Sequence, residues 1–304
     1  MIEMDFRQIE AFVKVVRLRS FSKAGEALFL TQPTISAHVS SLENELGIRL
    51  LDRSNKDVLP TKAGKIFYDY AVNLLNTRDD AVHTLNRFTD QLEGRIEVVA
   101  SSIPGQYLLP GVIRDFAQQY KNIRFFVFQA DTKQVIREVR EKRYELGLVG
   151  AAGEYEDMEY KFIKEDRLIL ITPNNKKYAG INTGTIAFST LLDENFIIRE
   201  LGSGTRQEFE KSLKNGGVNP KSVKVIAQMN STEAIKKAVG LGLGVAVVSS
   251  LCIEDDLRLG RIKSFRLEGL EAKRALYVVY LKNRTMSPLL VKFKDYLLGY
   301  YQVD

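Results

Sequence analysis

Apolar positions in the first 64 residues recur at helical spacing, in short runs broken by turn-forming residues. Phe6, Ile9, Phe12, Val13 and Val16 follow one another at intervals of 3, 3, 1 and 3, which places them on one helical face. Ser22 is positioned to cap a second short helix carrying Ala24, Ala27 and Leu28. After a turn at Leu30-Thr31, Gln32-Pro33 open a third helix, where the N–H that proline lacks has no intrahelical role. That helix runs through Ile35, Val39, Leu42 and Leu46 and stops at Gly47. Two short helices joined by a tight turn predict a helix-turn-helix. Residues 49–53 and 57–61 then read as two short strands around a turn at Ser54-Asn55-Lys56, which makes a wing.

Between Lys62 and Phe88 the pattern changes to one long helix. Phe67, Ala71, Leu74, Arg78, Ala81, Leu85 and Phe88 alternate spacings of 4 and 3, a heptad seam with one charged member, Arg78. Such a seam can pack on its own domain or on a second copy of the chain. Pairing is the expectation, because a lone helix after so small a domain would leave its apolar stripe wet. Past a polar hinge at residues 89–94, short apolar runs alternate with segments of helical period. Strands are expected at 96–100, 123–128, 146–149, 168–171, 196–198, 223–226, 245–248 and 276–280. Helices are expected at 108–120 and 135–143 and from Thr205, Ser231 and Ser287. This alternation indicates parallel α/β units in two successive halves, with a ligand cleft between them.

Composition narrows the function classes. The chain has 304 residues, 45% hydrophobic and 27% charged, which suits a folded chain of about two domains. No apolar run approaches the ~20 residues that span a bilayer. The start, Met1-Ile2-Glu3-Met4-Asp5-Phe6, is acidic and amphipathic, unlike a secretory signal, so a cytoplasmic location is expected. One cysteine, Cys252, excludes an intramolecular disulfide, and with His38 and His83 as the only histidines a metal or other cofactor is not expected. Cys252 itself reads as buried core rather than a redox sensor. Net charge is +6, yet residues 1–90 hold 12 Lys/Arg against 12 Asp/Glu, whereas residues 257–294 hold 10 against 2. The excess therefore lies far from the helix-turn-helix, where a solvated face is the first reading and attraction of an anionic effector or contact with bent DNA in an oligomer are the alternatives.

Three loops carry candidate chemistry. Ser101-Ser102-Ile103 lies between a strand and a helix, where hydroxyls and N–H groups at a helix start suit a carboxylate or oxyanion. Glu200-Leu201-Gly202-Ser203-Gly204-Thr205 has the same logic in the second half, and Thr205 with Glu208 also fits a capping box. Asn230-Ser231, at another helix start, is a weaker candidate of the same kind and reads first as a plain cap. Gly240-Leu241-Gly242-Leu243-Gly244 follows a helix and precedes a strand, the reverse of a dinucleotide-binding turn, so a tight connection is expected there. No nucleophile–base spacing suggests an enzyme, and a solute-binding protein would need export.

Ser20-Phe21-Ser22-Lys23-Ala24, Thr31-Gln32-Pro33-Thr34-Ile35-Ser36, Leu42-Glu43-Asn44-Glu45-Leu46-Gly47 and Pro60-Thr61-Lys62-Ala63-Gly64 occur in that order. Together they resemble the N-terminal signature of LysR-type transcriptional regulators. Tyr107-Leu108-Leu109-Pro110 and Gly242-Leu243-Gly244-Val245-Ala246 extend the resemblance more weakly. The wording of the chain also resembles a subgroup associated with sulfur or selenium metabolism. Leu51 stands where many members have Phe, Pro60 where Leu is common, Ala37 where Arg is frequent, Lys121 where Pro is usual and Glu145 where Asp is usual.

The resemblance implies a winged helix-turn-helix over residues 1–61, a linker and dimerisation helix over 62–90, and a two-lobed effector domain like periplasmic binding proteins over 91–304. Lobe I would hold about 91–163 and 268–304, and lobe II about 164–267. The third helix would enter the major groove of double-stranded DNA, with Gln32, Pro33, Thr34, Ser36, Ala37 and His38 toward the bases. Arg53 and Lys56 on the wing would meet phosphates or the minor groove. Ser101, Ser102, Ile103, Glu200, Leu201, Gly202, Ser203 and Thr205 would hold the effector, with a sulfur metabolite, oxyanion or carboxylate as candidates. Dimers, and in the family tetramers, would bind an inverted repeat, and RNA polymerase is a further candidate partner.

Overall fold

Asp5 opens the first helix, α1 (Phe6–Leu18), with a reciprocal cap: its carboxylate accepts from the Arg7 N–H while Gln8 accepts from its own. The computed structural model describes residues 4–53, 58–86, 93–181 and 184–302. These fall into two units, residues up to Leu92 with Thr285–Val291, and Glu93–Arg284 with Lys292 onward.

In the first unit, α2 (Phe21–Leu28) is capped by Ser20, whose hydroxyl accepts from the Lys23 N–H; Ser22 lies inside the helix, so the expected cap shifts by two residues. Helix α3 (Gln32–Leu46) is capped by Thr31 and ends at Gly47, whose φ of +67° favours glycine. Ile9, Phe12, Val13, Ile35, Val39 and Leu42 form one core. In the turn between α2 and α3 the chain passes so close to Gly25 that a Cβ there would lie 2.7 Å from the Leu30 carbonyl oxygen. Strands β1 (Leu51–Arg53) and β2 (Val58–Pro60) pair antiparallel, Leu51 opposite Pro60. The wing turn at residues 54–57 lies outside the described residues.

The signature residues around the wing hold it to its neighbours. The Glu43 carboxylate accepts from the N–H groups of Leu50 and Leu51 at 2.8 and 3.0 Å, which ties α3 to β1. Thr61 donates its hydroxyl to the Arg49 carbonyl and accepts from the Gly64 N–H, so it caps α4 (Lys62–Asn86) while holding the wing's edge.

Helix α4 corrects half of the expected seam. Ala71 is fully buried in its own domain, Phe67 is half-buried with its ring 5.5 Å from that of Phe12, and the Arg78 guanidinium sits over the Phe6 ring. Spacing alone cannot tell a face turned to α1 from one turned to a partner. Leu74 and Ala81 remain exposed, joined by Ile66, Tyr70 and Val82. The Leu85 side chain and Phe88 lie outside the described residues.

The second unit runs β3 (Glu93–Ala100), α5 (Leu109–Gln119), β4 (Asn122–Gln129), α6 (Thr132–Arg140), β5 (Gly147–Val149), β6 (Met158–Pro173), α7 (Lys176–Ala179), β7 (Thr185–Ala187), β8 (Phe196–Arg199), α8 (Gly204–Asn215), β9 (Val225–Met229), α9 (Thr232–Gly240), β10 (Ala246–Ser249), α10 (Glu254–Arg258), β11 (Ile262–Glu268), β12 (Lys273–Leu281) and, from Lys292 onward, α11 (Pro288–Tyr300). One sheet has the order β4-β3-β5-β12-β6-β11-β7, with β10 also paired to β6, and β8-β9 form a separate pair. Parallel pairing, the expectation throughout, holds for β3 with β4 and β5, for β8 with β9 and for β11 with β7. Strands β12, β10 and β11 run antiparallel to β6, so the sheet is mixed. The 16-residue β6 pairs with β12 over Met158–Arg167 and with β10 and β11 from Leu168 onward. It thereby serves two cores, one around Val99, Val135, Val149 and Val279, the other around Leu170, Phe196, Phe209 and Phe265.

A Cβ at Gly64 would lie 1.9 Å from the Leu50 carbonyl oxygen, which forces wing and helix apart. Gly64→Ala should therefore cost about 1–3 kcal/mol of stability. Gly299→Ala, with no atom within 4 Å of the added Cβ, should not. Thermal unfolding measures both, and an unchanged midpoint for Gly64→Ala contradicts the close approach.

Candidate functional site

Two surfaces collect the residues singled out by sequence. The first is the outer face of α3. Burial of Ile35, Val39 and Leu42 fixes the helix rotation, which leaves Gln32, Pro33 and Ala37 exposed and Thr34, Ser36 and His38 half-exposed. The Thr34 hydroxyl is engaged with Thr31 at 2.8 Å. Among the described residues the side chains of Gln32, Ser36 and His38 have no hydrogen-bond partner. Phe29, in the left-handed conformation at the end of α2, is 90% exposed beside this face. Hydropathy does not mark that position, since Phe29 sits in an apolar run between Leu28 and Leu30. Arg53 lies on β1, but its side chain and Lys56 are outside the described residues.

The second surface is a cleft in the other unit. Ser101, Ser102 and Ile103 follow β3 and are buried, leading into a single wide helical turn, Pro104–Leu108, before α5. Helix α8 begins at Gly204 with Ser203 as its N-terminal flanking residue, and Thr205 lies in its first turn, so the expected Thr205–Glu208 capping box is not formed. These two segments meet: Ser101, Ser102, Ile103, Ser203, Gly204 and Thr205 line one pocket with Asp131, Thr132, Arg199 and Arg274. The pocket is about 10 Å³, room for about one water. Glu200 does not line it, because its carboxylate is held bidentately by Arg199. Leu201 points outward and, with Gly202, borders a separate open groove beside α6 of about 1230 Å³.

Sequence reading missed the two arginines. Arg199 ends β8 with its side chain 6% exposed. Its guanidinium donates to Glu200, to the Thr232 hydroxyl at 2.8 Å, to the Ser102 hydroxyl at 3.1 Å and to the Asn230 carbonyl. Ser102 thereby accepts one bond and keeps its O–H to donate, whereas the hydroxyls of Ser101, Ser203 and Thr205 have no partner among the described residues. Arg274 on β12 pairs with the fully buried Asp166 on β6 at 2.8 Å. The usable signal in the sequence was a lone arginine closing the apolar run Phe196-Ile197-Ile198, where open α/β sheets place ligands. Arg274 offered less, because it sits beside Lys273 in a basic stretch.

Close by, Lys236 of α9 binds Asp256, Glu233 and the Cys252 carbonyl, and the Tyr107 hydroxyl donates to Glu233. Burial works against the Lys236 charge, but the bonds to Asp256 and Glu233 outweigh it and hold the ammonium above its usual range. Burial, then the Glu233 carboxylate, push the Tyr107 phenol up. Burial also pushes the Cys252 thiol up to about 12, so it stays protonated and unreactive at neutral pH. Ser231 accepts from the Ala234 N–H as a plain cap. The Gly240–Gly244 run is a tight connection from α9 to β10, where a Cβ at Gly244 would lie 2.2 Å from the Asn195 carbonyl oxygen. Among the described residues no three acidic, His or Cys side chains cluster to hold a metal, and no helix is long and apolar enough to cross a membrane.

The family model for the bacterial regulatory helix-turn-helix protein, lysR family, matches residues 6–65, and that for the LysR substrate binding domain matches residues 89–302. An uncharacterized HTH-type transcriptional regulator of Methanocaldococcus jannaschii is 34% identical over 93% of this chain and 94% of its own length. A probable RuBisCO transcriptional regulator of Thalassiosira pseudonana is 32% identical over 91% and 92%. Among solved structures, a full-length variant of OxyR from Pseudomonas aeruginosa superposes with a TM-score of 0.75 at 18% identity, over 99% of this chain and 95% of that one. The regulatory domain of CcmR from Synechocystis, in complex with 2-PG, gives 0.62 at 26% identity, over 69% of this chain and 98% of that one. The chain belongs to the LysR family of DNA-binding transcriptional regulators.

Proposed function

We propose that the exposed face of α3 reads operator DNA and that the cleft beside Ser101 binds a small anionic effector that modulates this binding. The observation that supports the effector most strongly is the pocket itself. Three partnerless hydroxyls on buried residues, the start of α8 and two buried guanidiniums converge on it, with the Asp131 carboxylate that caps α6 as the acidic group of its lining. Helix starts and guanidiniums favour negative charge, and neutral hydroxyls add donors without cost in charge. The 2-PG held by the similar CcmR domain is of the same chemical kind.

On DNA, Gln32 is placed to hydrogen-bond a base edge, with Pro33 and Ala37 offering apolar contact to a thymine methyl. Ser36 and His38 reach the same groove, and Arg53 and Lys56 would bear on phosphates. A second copy of the chain pairs along the exposed stripe of α4. It uses Leu74 and Ala81 as expected, but Ile66 and Tyr70 in place of the inward-facing Phe67 and Ala71. Two DNA-reading units joined in this way fit an inverted repeat, and tetramers would contact a longer stretch.

Gln32→Ala should weaken specific binding by ~1–3 kcal/mol and relax one base position. Selection from random DNA measures this, and an unchanged preference removes Gln32 from the readers. For the cleft, thermal unfolding of the full chain with phosphate, sulfate, thiosulfate, 2-phosphoglycolate and small carboxylates should show at least one stabilising anion. Its effect should fall in Ser101→Ala by about 1 kcal/mol, the worth of one hydrogen bond. Absence of stabilisation by every anion contradicts an anionic effector.

A further inference from the structure

Arg274 and Asp166 are opposite one another in the register of β12 and β6, and their side chains are 4% and 0% exposed. Nε donates to one carboxylate oxygen at 2.8 Å, and the Ser249 hydroxyl of β10 donates to the other at 2.6 Å. The carboxylate is thus served from two strands, but the guanidinium has more donors than this pair uses. Its Nη2 is buried without a hydrogen-bond partner among the described residues. A buried charged donor left unpaired is costly, and native proteins keep few of them. Gly150 closes the Nη1 side of the group, since a Cβ there would lie 2.7 Å from that nitrogen. The pocket that Arg274 lines also holds the partnerless hydroxyls of Ser101, Ser203 and Thr205. Arg199, the other guanidinium of this pocket, is committed to Glu200, Ser102, Thr232 and the Asn230 carbonyl.

We infer that Arg274 is the charge-reading residue of the cleft: Nη2 takes one oxygen of a terminal oxyanion, whose remaining oxygens meet the hydroxyls of Ser101, Ser203 and Thr205. This rests on the anionic-effector reading of the cleft and assigns the residue that recognises the charge. The ligand class is a small acid ending in a phosphate, sulfate or carboxylate. At about 10 Å³ the pocket holds roughly one water, so an oxyanion must widen it to enter. The group it would meet is anchored at Asp166, next to the point where β6 changes partner from β12 to β10 and β11. Occupancy is therefore felt by the strand that runs through both cores of the unit.

The test is calorimetric titration of the full chain with 2-phosphoglycolate, inorganic phosphate, sulfate and glycolate, on wild type, on Ser101→Ala and on three variants around Arg274. Arg274→Lys keeps the charge and loses the fork. Asp166→Asn with Arg274→Gln removes both charges, so that no buried carboxylate is stranded. Gly150→Ala keeps every charge and pushes on the guanidinium. The tightest-binding anion should weaken at least tenfold in Arg274→Lys and in Gly150→Ala, and a hundredfold or more in the double variant. Thermal unfolding without anion identifies the folded variants, on which the comparison is made. Equal affinity in wild type and any folded variant, with Ser101→Ala still weakening the anion, overturns the role of Arg274 and leaves the anion site standing. No heat of binding to wild type for any of the anions overturns both.

Discussion

A guanidinium buried in protein must be surrounded by acceptors, and the Arg199 side chain gathers them from four places along the chain: Ser102, Glu200, Asn230 and Thr232. Satisfying that one charge brings the end of β3, the end of β8 and the start of α9 to a single point. The loops of the cleft are thereby set with respect to one another before any ligand arrives. It also orients the serines: Ser102 accepts from Arg199 and keeps its own O–H to donate, while Ser101, one residue earlier, lines the pocket with its hydroxyl unpaired among the described residues. The second buried pair, Asp166 with Arg274, does the same for the three strands β6, β12 and β10.

The charge distribution has a matching explanation. The basic stretch 257–294 is not one solvated face. Arg274 is buried against Asp166, Arg284 donates to the carbonyls of Lys142 and Tyr144 and lies near Glu145, and Lys263 holds the carbonyls of Tyr178 and Ala179. Lys292 stacks over Tyr120, and Arg258 pairs with Asp255 at the surface. Part of the excess is spent on internal acceptors, while Arg258, Arg261, Arg266, Lys273 and Lys282 stay exposed. The DNA-binding unit, with equal numbers of acidic and basic residues up to Asp90, is left to rely on placed contacts rather than on a broad field.

Helical spacing and caps made the first unit readable, because Ile35, Val39 and Leu42 can only be buried together if Gln32 and Ala37 face outward. The same spacing misassigned Phe67 and Ala71, since a buried face on a neighbouring helix and a buried face on a partner chain have one periodicity. The first half of β6 was lost for a different reason. Lys161, Lys164, Glu165, Asp166 and Arg167 break the apolar alternation, and only the tertiary pairing of Asp166 with Arg274 lets a charge sit at a core position. The serine and threonine loops of the cleft were found from their place between strands and helices. The arginines of the cleft were not: Arg199 was signalled only by its place at the end of an apolar run, and Arg274, beside Lys273 in a basic stretch, carried no such mark.

Binding of the full chain to DNA upstream of its own gene measures the proposed coupling of effector binding to DNA binding most directly. Fluorescence anisotropy at fixed salt, with nuclease footprinting on the same fragment, would be run with and without saturating amounts of the anion that most stabilises the protein. The anion should change the specific affinity or the length of the footprint and leave binding to unrelated DNA unaltered. Identical affinity and footprint at saturating anion would contradict the coupling.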